Sequence, residues 1–142
     1  MSLHRYAIKL NETTASAAVL KCLRLCFPNQ SLSQLRTIVQ THSYLYCSDQ
    51  EKDSADGLQI LARLLEHLDR AHLEAELWEE WRGTPSAPWQ GRPICREALV
   101  QAIQRMRDIY REVLYDTERE VEGVISPEAA ADIEKEVSEC FP

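Results

Sequence analysis

Apolar positions along this chain change period several times, and each change marks an element. Tyr6, Ile8 and Leu10 alternate with Arg5, Ala7 and Lys9, the period of two that a half-buried strand requires. Asn11 to Thr14 is a polar turn in which either threonine can cap the helix that follows. From Ala15 to Val39 the period becomes helical. Val19, Leu20, Leu23 and Phe27 form one apolar face, with Lys21 and Arg24 pointing the other way. Leu32, Leu35, Ile38 and Val39 form a second stripe, with Arg36 off it. Pro28-Asn29-Gln30 breaks the chain between the two helices. Ser31 and Gln34 have the spacing of a capping box, in which each side chain satisfies an orphan backbone donor.

Tyr44-Leu45-Tyr46-Cys47 is a short β-prone run, closed by the polar stretch Ser48 to Asp53. A third helix is predicted to start near Asp53 or Ser54, with Gly57 in its first turn and Leu58, Leu61, Leu65 and Leu68 on its buried stripe, thickened by Ile60 and Leu64. Leu73, Ala75 and Leu77 then alternate with Glu74 and Glu76 in a strand that ends in Trp78-Glu79-Glu80-Trp81. The order β-α-α-β-α-β predicts a small α+β domain over residues 1–81. Residues 82–93 are rich in Gly, Pro, Ser and Thr and read as a linker or an ordered connecting loop. Residues 94–142 form a helical extension. Leu99, Ile103, Met106, Tyr110, Val113 and Leu114 predict a helix ending near Gly123, which at 1.5 Å per residue reaches roughly 40 Å. Such a helix must lie across the first domain, bend, or pair with another chain. Ser126 and Pro127 open a last helix whose apolar face is Ile133, Val137 and Phe141.

Charge changes the picture more than composition does. The 142 residues carry a formal net charge of −7, which disfavours nucleic acid and anionic membrane surfaces as partners, since both recruit Lys and Arg. Residues 1–83 hold 11 acids and 9 bases, whereas residues 94–142 hold 12 acids and 6 bases. No apolar run approaches membrane-spanning length, and the N-terminus lacks a signal-type apolar core. Five cysteines without repeated spacing then read as reduced thiols of a cytoplasmic protein.

The helix pair Val19-Leu20-Lys21-Cys22-Leu23-Arg24 and Leu32-Ser33-Gln34-Leu35-Arg36-Thr37-Ile38-Val39 resembles the C-terminal domain of the bacterial ribosomal stalk protein. That family has a Val-Ile-Lys-x-Val-Arg helix followed by a Leu-Lys-Glu-Ala-Lys-x-Leu-Val helix, within the same β-α-α-β-α-β order. Its Gly-Leu-Gly-Leu corner is Pro28-Asn29-Gln30-Ser31-Leu32 here, its lysine after the leucine is Ser33, and its dimerising N-terminal region has no counterpart. The resemblance implies a basic edge of Lys21, Arg24 and Arg36 that contacts a partner protein, as the family's basic residues contact translation factors. The Clp-protease adaptor family shares that fold. Its Leu-Asn-Asp segment and a later histidine hold the free amine of an N-degron peptide. Leu10-Asn11-Glu12 and His42 stand in similar places, so Asn11, Glu12 and His42 are candidates for binding a peptide amine.

Other chemistry is sparse. Cys22 and Cys26 lie one turn apart without a second pair at zinc-like spacing, so core packing is expected for them and for Cys47, Cys95 and Cys140; no metal and no cofactor is expected. His67 and His72 are five apart and share no helical face. His42 and Cys47 lack an orienting third group and an oxyanion site. The 4 glycines are scattered, which leaves no phosphate loop. An enzyme is not expected. Trp78, Trp81 and Trp89 place aromatic area near a connection, either covering the joint to the C-terminal helices or anchoring an interface. These features predict a non-catalytic module that binds one cognate protein, foremost an acidic inhibitor of immunity or antagonist type. The alternatives are an adaptor using the Lys21, Arg24 and Arg36 edge, and a homodimeric structural component paired through its long helix.

Overall fold

A computed structural model describes residues 3–48 and 57–141. Four strands, β1 (Leu3–Leu10), β2 (Tyr46–Cys47), β3 (Ala75–Arg82) and β4 (Gln90–Ile94), form one antiparallel sheet in the order β2-β1-β3-β4. Five helices accompany it: α1 (Ala17–Cys26), α2 (Leu32–Gln40), α3 (Leu58–Arg70), α4 (Arg96–Glu122) and α5 (Pro127–Cys140). The protein is α+β, with the expected β-α-α-β-α-β order and a long C-terminal helix. Register explains the core. Ile8 lies opposite Leu77, and Leu77 opposite Ile94, so one sheet face carries an apolar row across three strands. That row packs with Val19, Leu23, Leu35, Val39, Leu61 and Leu68 of the first three helices.

Local signals worked where a side chain had an obvious backbone partner. Ser31 and Gln34 form both halves of the capping box, and the Ser126 hydroxyl accepts from the Ala129 amide ahead of Pro127. Gly123 ends α4 in the left-handed region at φ 79°, which a Cβ would strain. Neither threonine of the first turn caps α1. Ser16 does so, accepting from Val19 N, because the helix starts at Ala17 and the hydroxyl must lie three residues before the donor. The start predicted near Asp53 or Ser54 lies outside the described residues. Gly57, assigned above to the first turn of the third helix, instead precedes α3 as its N-cap, at φ 76°.

Of the two readings of 82–93, a linker or an ordered connecting loop, the structure has the ordered loop, shorter than expected and flanked by strand on both sides. Arg82 is the last residue of β3, and Gln90–Ile94 returns beside it as β4, with 83–89 as the hairpin loop. Gln90-Gly91-Arg92-Pro93 lacks apolar alternation, which hides a strand from periodicity; only an edge strand tolerates glycine and proline this way. Gly91 has a reason to be there. A Cβ at this position would sit 3.0 Å from Glu80 Cγ and 3.3 Å from the Glu79 carbonyl oxygen.

The first half of α4 lies across the α+β unit. Leu99 is fully buried, Ile103, Met106 and Tyr110 pack against the same core, and Phe141, just past α5, is buried in it as well. Beyond Tyr110, α4 is held by α5. Arg111 Nε donates to Glu134 at 3.1 Å, the Tyr115 hydroxyl to Glu134 at 3.1 Å, and Ile133 and Val137 are buried. Residues 111–122 therefore project as one arm of a helical hairpin, about 18 Å long at 1.5 Å per residue. No helix among the described residues is long and apolar enough to cross a membrane.

Candidate partner-binding surface

The α1–α2 corner is built from the residues the core does not use. On α1 the core takes Val19, Leu20, Cys22 and Leu23, which leaves Lys21, Arg24 and Leu25 together on the outer face, three and four residues apart. On α2 it takes Leu35 and Val39, which leaves Leu32 and Arg36. Leu25 is 69% exposed and Leu32 49%, large apolar side chains on either side of the turn at Phe27–Ser31. Between Glu12 and Asp49 there is no Asp or Glu at all. Among the described residues none of the three cations has an ion-pair partner there. The corner is an apolar centre with a basic rim. Its cations were legible from the sequence, but Leu25 was not marked, and Leu32, placed above on the apolar stripe of α2, is exposed because it opens the helix at the turn, beyond the core that takes Leu35 and Val39. The missing signal was available: Leu25 lies outside the apolar stripe of α1, and no carboxylate occurs for 36 residues.

The tryptophans do not form one patch. Trp78, opposite Ala7 and Pro93, faces away from the helices, and Trp81, opposite His4 and Gln90, faces the other side of the sheet. Trp89 joins the open face, where the Arg5 and Arg82 guanidinium groups stack on it at 4.0 and 4.3 Å. Lys9 lies 5.2 Å from Trp78 and 5.6 Å from Tyr44. Glu80 links this face, accepting from Arg5 Nε at 2.7 Å and from the Tyr44 hydroxyl at 3.3 Å. Burial, then Glu80, pushes the Tyr44 hydroxyl up to about 12, so it remains a donor. Rings and cations from β1, β3 and the segments before β2 and β4 stack on this face, while Trp78 Nε1 and Arg82 Nε are buried without a hydrogen-bond partner among the described residues. Trp78 and Trp89 cover the sheet and not the joint to the C-terminal helices.

Asn11 and His42 are engaged separately, and Glu12 has no hydrogen-bond or ion-pair partner among the described residues. Asn11 donates to Glu74 through its backbone, at 3.1 Å to the carbonyl. It lines a groove of about 650 Å³ with Asp69, His72, Glu74 and Glu76 over Leu65 and Leu77. His42 Nε2 lies 2.6 Å from Glu76 Oε2, an ion-pair approach without hydrogen-bond alignment, and Glu12 is exposed. His42 sits at φ 54°, a left-handed position fixed by the tight exit from α2.

All five cysteines are free thiols. Burial, followed by the Cys22 sulfur beside it, pushes the Cys26 thiol up to about 12, and burial also raises Cys22 and Cys47. Cys95, expected in the core, is exposed, because it precedes α4 at the sheet edge, where nothing covers it. Iodoacetamide at pH 8 is therefore expected to alkylate Cys95 in the native protein and to spare Cys22 and Cys26, read by peptide mass spectrometry. The same shift sets a sign for stability. The unfolded Cys26 ionises near the ordinary value of 9 and the folded one near 12, so its contribution is complete below pH 9 and is lost as pH rises toward 12.

Among the described residues no three His, Cys, Asp or Glu side chains are grouped so as to hold a metal. No protein-family model, no curated protein and no solved structure matches this chain.

Proposed function

We propose that this chain is a cytosolic, non-catalytic protein-binding module that holds one cognate protein at the α1–α2 corner. The carrying observation is the exposure of Leu25 and Leu32 among Lys21, Arg24 and Arg36, in a stretch without carboxylates. Exposed leucines at a helix corner gain by burial against a partner, and a rim of one charge sign selects a partner of the other. The fitting partner has an apolar spot ringed by acids, which suits an adaptor role. A second reading, the acidic inhibitor, draws support from the far end of the molecule. There Val121 and Val124 are 72% and 74% exposed at the tip of the α4–α5 hairpin, among Glu118, Glu120 and Glu122.

Capture from the native host's lysate separates these roles. The wild type is expected to retain one stoichiometric partner, and Lys21→Glu/Arg24→Glu/Arg36→Glu to lose it, with affinity down by about a hundredfold for three rim charges reversed. If Glu118→Lys/Glu120→Lys/Glu122→Lys loses the partner and the corner variant keeps it, the inhibitor reading replaces the adaptor reading. If neither variant loses it, both surfaces are solvated faces.

A further inference from the structure

Among the described residues, which also expose Trp81, Val100, Ile109 and Val113, two apolar spots are complements of each other in charge. At the tip, residues 112–128 hold six acids (Glu112, Asp116, Glu118, Glu120, Glu122 and Glu128) and one base, Arg119. Asp116 is paired, 3.0 Å from Arg119 Nη1; among the described residues the other five have no cation partner. At the corner three cations surround Leu25 and Leu32 with no acid in the stretch. One site is an apolar centre with a negative rim, and the other is an apolar centre with a positive rim. The tip also has reach. Residues 111–122 extend about 18 Å past the last α4 residue in the core, so the tip can enter a neighbour's corner without the two bodies colliding.

We infer that copies of this chain associate head to tail, with the hairpin tip around Val121 and Val124 of one copy docked on the α1–α2 corner of the next. The inference rests on the corner being a docking surface, as proposed above, and names a second copy as one occupant. The contact is heterologous, because the two surfaces differ, so each copy keeps a free corner at one end and a free tip at the other. A tip-to-tip or corner-to-corner dimer would oppose like charges. The cognate partner and the neighbouring copy compete for one corner, which makes self-association a reversible cover over it. The contact is rim-charged and small, so it is weak and salt-sensitive.

Sedimentation velocity on the purified protein tests this without any partner. The mean mass is expected to rise with concentration at low salt and to return to that of the monomer in about 1 M salt, where the Debye length is about 3 Å. The corner variant Lys21→Glu/Arg24→Glu/Arg36→Glu and the tip variant Glu118→Lys/Glu120→Lys/Glu122→Lys are each expected to stay monomeric alone. Mixing them is expected to restore association, because the intact tip of the first meets the intact corner of the second. Unchanged circular dichroism checks that both variants remain folded. A monomer at every concentration overturns the inference, and so does association that survives in either variant alone or fails to return on mixing. None of these outcomes decides the partner-capture result, because that experiment reads a different protein.

Discussion

Phe141→Ala is expected to lower stability by about 3–5 kcal/mol, the range for emptying a buried aromatic site, and Tm by about 10 °C or more for a chain of this size. Phe141 is 0% exposed although it lies one residue beyond the last helix. Its ring packs 5.9 Å from that of Tyr110, and its carbonyl accepts from the Arg107 guanidinium. This side chain pins the end of α5 to the core, and with it the hairpin that α5 makes with α4. Urea denaturation and thermal melting measure the loss. A change below about 1 kcal/mol would show that the C-terminal helices do not seat there in solution.

A fragment of residues 1–81 is expected to lack a cooperative unfolding transition, although the period of its apolar residues describes a complete α+β unit. The fragment lacks β4, so β3 becomes an unpaired edge, and it lacks Leu99 and Phe141, both fully buried in the same core as Ile8 and Leu23. Two empty sites of Leu and Phe size cost several kcal/mol, comparable to the whole stability of a small domain. Far-UV circular dichroism through a urea titration, with dye binding as a probe of exposed apolar surface, reads the outcome. A sharp two-state transition with no dye binding would establish residues 1–81 as an independent domain.

Both predictions turn on contacts that periodicity does not display. The stripe Leu99, Ile103, Met106 and Tyr110 announces a helix with a buried face, but the same spacing serves a helix laid on a neighbouring sheet or one paired with its copy. Phe141 reads as the last apolar position of α5, with nothing to distinguish it from a frayed end. Trp78 and Trp81 are three residues apart in a strand, and alternation puts them on opposite faces, so closeness in sequence does not make them one surface. β4 was hidden because Gly91 answers to the close approach of Glu80 and not to any pattern of its own strand.

The sequence by itself determined the elements whose causes are local. These are the Ser31/Gln34 capping box, the Ser126 cap and the stop at Gly123, the helical and strand periods, the α+β order, and the separation of charge between a corner without acids and an acidic hairpin. Only the tertiary structure decided which apolar residues were left over. Leu25 and Leu32 are leucines like those of the core until the sheet and α3 have taken Val19, Leu23, Leu35 and Val39. Burial is a property of the surface that faces a residue, and that surface comes from strands and helices distant in the chain.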